Sequence, residues 1–457
     1  MKEIYLTNYS VKGIKTLDEM VTLSFYKKTI TKDMDTQEYN IKGIYGMNGS
    51  GKSGIITSVE ILKNLLWDSG YLSDPVTQKS LEALVNKKVG ELTLGAEIIS
   101  KVDGVMLQFQ YKVTLAKDST GKFVIVKESL RGKPATSKKD NFTTFFDVRN
   151  GEADYIYAND KPYGLAYELE QKSVNLLSTA SMIALFREKI LALGREKMVD
   201  LVHSDFESFL VAAMCVLVLF SIRTYVYLDQ SDDHRKFLTN KSLASNDIEW
   251  KQLLGSMFRT GNEQLDVISI SENYIIKTKY VYFEKTIEKL CEFIRIFKPD
   301  LQNIEIDKKE NHEYYVCDLI MVYDSYKIHA EFESTGIKKL IRLFTFIREM
   351  AHGGIVFIDE LDSNLHDVYL CALLEYLMQY GEGQLCFTTH NVGPMDILKQ
   401  NKKSIDFLSE DHKIYPWRTN GNYSPSKLYR NGMIEGSPFN VDAIDFIGVF
   451  GTGEEDE

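Results

Sequence analysis

The chain has 457 residues, a formal net charge of −11 and a sequence pI near 5.4. Hydrophobic residues make up 44% and charged residues 26%, the balance of a globular chain long enough for two or three lobes. The acidic balance speaks against a protein whose main task is to coat nucleic acid, and five cysteines without C-x-x-C spacing exclude a zinc pattern or disulfide framework.

The start, Met1-Lys2-Glu3-Ile4-Tyr5, lacks a signal-peptide core, so a reduced, cytoplasmic chain without a membrane partner is expected. Ile4 and Leu6, then Val21, Leu23 and Phe25, alternate as strands do. An apolar segment, Tyr39 to Tyr45, leads into Gly46-Met47-Asn48-Gly49-Ser50-Gly51-Lys52-Ser53, which fits G-x-x-x-x-G-K-[ST] without a mismatch. A helix-compatible run, Gly54 to Trp67, leads out. In that order the backbone N–H groups of Gly46, Asn48, Gly49, Ser50 and Gly51 converge on a polyphosphate at a helix N-terminus. Lys52 is expected to reach the terminal phosphates and Ser53 to ligate Mg²⁺, so ATP or GTP is the expected ligand.

Residues 90–132 alternate strongly, with turn chemistry at Asp103-Gly104 and Thr120-Gly121, and predict an antiparallel meander with one wet face. The polar stretch 133–152 is expected to be loop. From 165 to 297 glycines become scarce and helical periodicity dominates, interrupted by a polar loop at 229–246. Phe209 to Ile222 is an apolar run of 14 residues ended by Arg223. It falls short of the roughly 18–20 needed to cross a bilayer and predicts a buried core helix. Strands return after 301, and from 335 the pattern is helix–strand–helix–strand. The expected division is 1–164 for an N-terminal lobe, 165–297 for a helical insertion and 298–457 for a C-terminal lobe. There is no internal repeat or heptad run, and the acidic tail, 451–457, is expected to fray.

Gly353 to Glu360 is an apolar strand ending in two carboxylates. Asp359 is placed to hold Mg²⁺ through water, and Glu360 to polarise an attacking water as general base. Ser334, 25 residues before Asp359, opens a Ser-x-Gly turn with Gly336 at the start of a helix. Such a turn binds anions, and a serine there also caps helices. Leu385 to His390 is a further apolar strand whose histidine follows Asp359 by 31 residues and is placed to contact a γ-phosphate.

The order phosphate loop, Ser-x-Gly helix start, Asp-Glu strand end and strand-end histidine resembles an ABC-type ATPase head. More narrowly it is similar to the ATPases of bacterial anti-phage systems, the overcoming-lysogenisation-defect and abortive-infection class, whose relatives include RecF and SMC ATPases. Gly46 to Ser53, Glu333 to Leu340, Asp359 to His366 and Thr388 to Asn391 carry the match, with Lys427 to Gly432 close to the family's C-terminal end. The resemblance implies an α/β P-loop NTPase of ABC-ATPase type with an antiparallel β lobe and a mainly helical insertion. It implies ATP and Mg²⁺ sandwiched in a homodimer or higher homo-oligomer. The phosphate loop and Asp359-Glu360 of one copy would face Ser334 and Gly336 of the other, Asp362 would communicate across the interface, and His390 would sense the γ-phosphate. Ile337 stands where many relatives have threonine and Asp367 where many have proline. Neither is expected to touch the chemistry. Gln108 and Gln110, in the meander, are the weak candidates for the glutamine that usually completes such sites.

About 67 residues follow His390, too few for the nuclease domain that some relatives append. Asp406, Asp411, Asp442 and Asp445 there are expected to be solvated charges. The resemblance then implies a sensor–regulator ATPase of a two-component phage-defence system, acting through a separately encoded toxin or nuclease released by a phage-encoded trigger. A RecF/SMC-like DNA-repair or DNA-clamping ATPase is the alternative, with DNA binding its distinguishing property. A nucleotide-gated scaffold that barely hydrolyses is the third reading, against which Glu360 argues.

Overall fold

The computed structural model describes residues 4–27, 29–31, 34–137, 141–154, 176–193, 205–228, 267–312, 314–418 and 423–437. In chain order, β1 (Ile4–Lys12) and β2 (Val21–Ser24) pair antiparallel, and β3 (Ile41–Tyr45) follows with all five residues buried. The phosphate loop then enters α1 (Lys52–Trp67), and α2 (Pro75–Leu84) is capped by Asp74. β4 (Glu91–Val102), β5 (Val105–Lys117) and β6 (Phe123–Pro134) form the expected meander. Asp103 and Gly104 both take positive φ, 50° and 75°, the conformation a two-residue hairpin turn needs.

The meander continues through β7 (Thr143–Arg149) and β8 (Glu152–Asp154), giving a sheet ordered β2-β1-β4-β5-β6-β7-β8. This corrects the loop expected over 133–152. Phe145 and Phe146 are both buried, an adjacent apolar pair that breaks the alternation by which a strand is recognised in sequence. α3 (Met182–Leu193) and α4 (Asp205–Arg223) pack with α1 against this sheet. Leu210 to Phe220 are all buried, and Phe209 meets Phe109 and Phe145 at ring-centroid distances of 5.9 and 4.8 Å. The apolar run is therefore a core helix covered on every side. Among the described residues no helix is long and apolar enough to cross a membrane.

α4 runs directly into β9 (Thr224–Tyr227), an edge strand of a mostly parallel sheet that, with β14 (Ile355–Ile358), β15 (Gln384–Thr388), β16 (Ile405–Leu408) and the antiparallel β17 (Ile414–Pro416), is ordered β17-β16-β3-β15-β14-β9. The stretch 165–297 thus supplies part of the central sheet as well as helices. Its polar loop at 229–246 lies outside the described residues, as do Asp442, Asp445 and the acidic tail. A smaller antiparallel sheet comes next, from β10 (Asn273–Ile276), β11 (Leu301–Glu310), β12 (Tyr314–Tyr323) and β13 (Lys327–His329), with α5 (Tyr280–Phe297) packed on β11. α6 (Thr335–Ala351), β14 (Ile355–Ile358), α7 (Asp367–Tyr380), β15 (Gln384–Thr388), α8 (Met395–Leu398), β16 (Ile405–Leu408), β17 (Ile414–Pro416) and α9 (Pro425–Arg430) complete the parallel half. The result is an α/β fold of P-loop NTPase type, in which β3, β14 and β15 are buried along their whole length because helices cover both sheet faces.

Asp406 departs from the expectation of a solvated charge. It is buried on β16, and its carboxylate accepts a hydrogen bond from the buried ammonium of Lys42 on β3 at 2.7 Å. Lys42 makes a second bond, to the Lys403 carbonyl at 2.5 Å. Asp406→Ala would strand that ammonium and is expected to cost about 3–5 kcal/mol of unfolding free energy. Urea unfolding measures it, and a loss under about 1 kcal/mol, the range of exposed pairs, would show that the pair is solvated after all. Asp411 is as expected, exposed and paired with Lys413.

Candidate nucleotide site

In a parallel sheet the ligand side is the carboxyl end of the strands, where the chain leaves the sheet and the order of connection reverses. Three such ends lie side by side here, β3, β15 and β14, and each releases one of the predicted motifs. The phosphate loop follows β3, Asp359-Glu360 follows β14 and Thr389-His390 follows β15.

The loop's shape comes from its glycines. Gly49 and Gly51 have φ of 79° and 106°, a region L side chains avoid. A Cβ on Gly51 would meet Leu17 at 2.4 Å, so the turn 13–17 can press against the loop only because that position is glycine. From the other side, Tyr429 of α9 stacks on Phe407 at 5.6 Å and meets Tyr45, the residue before the loop, edge-on at 6.3 Å. The C-terminal stretch thereby buttresses the start of the loop.

One cleft is lined by Asn48, Gly49, Gly51, Lys52, Ser53, Gly54, Glu360, Thr388 and His390, together with Lys15 and Thr16. The Lys52 ammonium is folded over the loop, donating to the Gly46 and Met47 carbonyls at 2.7 and 2.9 Å. Burial pulls its pKa down to about 8, against the opposing pull of Asp359, Glu360 and Asp362. Partial burial, and then the Lys52 charge, lower the pKa of His390, leaving its imidazole neutral at pH 7. Asp359 and Asp362 do not line the cleft, but their charges oppose both shifts.

Thr388 organises the carboxylates. Its hydroxyl donates to Asp359 Oδ1 at 2.5 Å and accepts from the Glu360 N–H at 2.8 Å. Glu360 itself is exposed, with a free run to the cleft. Buried Ser50 Oγ and Asp362 Oδ1 have no hydrogen-bond partner among the described residues. A loop with an unpaired hydroxyl, open space over Gly49 and an adjacent ammonium suits a phosphate ligand. Among the described residues no cluster of three or more His, Cys, Asp or Glu could hold a metal by itself. The hydroxyl of Ser53 and the carboxylate of Asp359 suit a Mg²⁺ ion that takes its other ligands from phosphate and water.

Two predicted segments stand apart. Ser334 and Gly336 do not line this cleft. Ser334 is exposed and caps α6, its Oγ accepting from the Ile337 N–H at 3.3 Å. Ile337 is buried in the cluster beneath α6, so its side chain faces inward rather than outward with Ser334. Gln108 and Gln110 lie on β5 and line nothing here; Gln110 is bonded to Glu97.

Sequence reasoning missed Lys15 and Thr16, which reach the cleft through a turn with Gly13 at φ 86° and Lys15 at φ 49°. Gly13 was the only local signal for that turn. It also undervalued Asp367, which accepts a hydrogen bond from the Asn391 side chain. That bond ties the start of α7 to the loop carrying His390.

Residues 322–396 match a family model described as "AAA domain, putative AbiEii toxin, Type IV TA system". The chain is 22% identical over 433 residues to "Retron Vc95 probable ATPase" of Vibrio cholerae serotype O1 biovar El Tor, covering 89% of this chain and 77% of that protein. Among solved structures it is similar to the recombination mediator RecF with ATPrS, with a TM-score of 0.38, 12% identity, and coverage of 91% and 99%. RecF with ATP gives a TM-score of 0.37, 11% identity, and coverage of 91% and 100%.

Proposed function

We propose that the protein binds ATP with Mg²⁺ in this cleft and hydrolyses it in an assembly of two copies. The observation carrying the reading is that Lys52, Glu360 and His390, from three separate strand ends, line one cleft. Lys52 would leave the loop carbonyls for the β- and γ-phosphates. Ser53 and Asp359 would hold Mg²⁺, whose bound charge offsets that of the phosphate oxygens. Glu360 takes a proton from the attacking water as its oxygen bonds to the γ-phosphorus and the bond to ADP breaks. Neutral His390 donates its N–H to a γ-phosphate oxygen. Relation to a protein named as a retron ATPase supports turnover of ATP.

The same geometry supports a second copy. Exposed Ser334 and half-buried Gly336 lie outside their own chain's cleft, so a nucleotide they touch would be one held by another copy. Ser334→Arg is expected to abolish ATP-dependent dimerisation while changing the ATP affinity of the single copy less than about twofold, since the substitution lies outside that copy's own cleft. Light scattering with ATP and calorimetry measure the two. A Ser334→Arg chain that still dimerises on ATP would end the sandwich reading.

What the cycle drives has two readings. A DNA-clamping ATPase predicts binding to duplex DNA and faster hydrolysis with it; a recombination mediator is among the compared proteins. A regulator of a separately encoded toxin or nuclease predicts hydrolysis indifferent to DNA, with the match to a toxin–antitoxin family model in its favour. The rate of ATP hydrolysis with and without duplex DNA separates them.

A further inference from the structure

Glu360 has φ of +49°, a left-handed conformation that a residue with a Cβ keeps only where its surroundings hold it. One side of the hold is Thr388, bonded to the Glu360 N–H and, through its carbonyl, to the Leu361 N–H at 3.1 Å. The other side is Lys339. This residue lies on α6 and is buried, and its ammonium donates to the Glu360 carbonyl at 2.6 Å and to the Ser363 hydroxyl. The Tyr227 ring of β9 lies 5.6 Å from the same ammonium.

The start of α6 is fastened to the same turn. Thr335 Oγ1 donates to Asn364 Oδ1 at 3.3 Å, and a Cβ on Gly336 would come within 2.9 Å of the Asn364 carbonyl. The turn 360–364 and the first turn of α6 are therefore in contact at three points, with the buried ammonium innermost. Burying an ammonium is costly unless its N–H groups are hydrogen-bonded, and here bonds that offset that cost fall on the Glu360 carbonyl and the Ser363 hydroxyl of one turn.

We propose that Lys339 is a positioning residue that holds the Glu360 turn in its left-handed conformation and joins it to the exposed start of α6. The inference rests on the reading of Glu360 as general base. In a pair of copies, a nucleotide gripped by Ser334 and Gly336 belongs to the opposite site, while Lys339 acts on Glu360 of its own. The base at one site thus responds to whether the other is filled, a coupling between two sites through one rigid contact.

The test is Lys339→Met in the full chain, with Lys339→Arg, Glu360→Gln and the parent alongside. ATP affinity, kcat, the Hill coefficient of rate against ATP and the thermal midpoint are measured for each. Lys339→Met is expected to lower kcat at least about tenfold with ATP affinity held within about twofold, since only positioning of the base is lost. Its Hill coefficient falls towards one from a higher parent value, and Lys339→Arg recovers much of both. Parent kcat and Hill coefficient in Lys339→Met would overturn the proposal, as would a loss of affinity in step with rate. Should Lys339→Met fail to fold, Ser363→Ala, which removes the bond from Lys339 to the Ser363 hydroxyl, is read by the same criteria. If Glu360→Gln turns over like the parent, the base assignment itself falls; if it is slow and Lys339→Met is not, the positioning role of Lys339 falls and the base assignment stands.

Discussion

Lys52→Ala is expected to weaken ATP binding about 100-fold, the loss of a charge-assisted contact worth about 1.5–3 kcal/mol. In the free protein this ammonium satisfies only two carbonyls of its own loop, so the fold loses little and the deficit appears in nucleotide affinity. A pH series sharpens the test. With the Lys52 pKa pulled down to about 8 by burial, the free protein presents the cation below that pH and loses it above. ATP affinity should be level from pH 7 to about 8 and then fall about tenfold per unit, because binding must take up a proton. The alanine variant should lack that bend. Isothermal calorimetry at fixed free Mg²⁺ reads both effects, and a Lys52→Ala chain with parent affinity would remove the phosphate loop from the site.

Glu360→Gln is expected to slow hydrolysis by about 10²–10⁴-fold, the range for a positioned general base. ATP binding should persist, because Glu360 contributes nothing to the phosphate loop and is exposed at the cleft's edge. With cleavage stalled, ATP-bound pairs should accumulate and be visible by light scattering. Glutamine keeps the backbone bonds to Thr388 and Lys339, since both are made by main-chain atoms of residue 360. The variant therefore isolates the carboxylate from the turn that carries it. Unchanged turnover would assign the proton to another group.

Motifs whose chemistry is local could be read before any fold was known. The glycines and lysine of Gly46–Ser53 act through their own backbone and a single side chain, and apolar runs such as Ile355–Ile358 and Gln384–Thr388 mark buried parallel strands. The buried helix within Asp205–Arg223 was equally readable, because an apolar run too short for a membrane has only the core to enter. Elements defined by their neighbours were not. β7 carries two adjacent buried phenylalanines in place of alternation, and β9 is a four-residue strand inside a helical stretch, stable only because β14 pairs with it.

Asp406 looked like any surface aspartate until β3 brought Lys42 against it, and Lys15 was one lysine among many until its turn folded over the loop. The left-handed backbone of Glu360 and the buried ammonium that grips it depend on contacts between residues 21 apart in the chain. Side-chain type and short spacing specify which chemistry a segment can offer. Burial, partner and strain arise when distant segments exclude water from one another, and those properties set the protonation of Lys52 and the placement of Glu360.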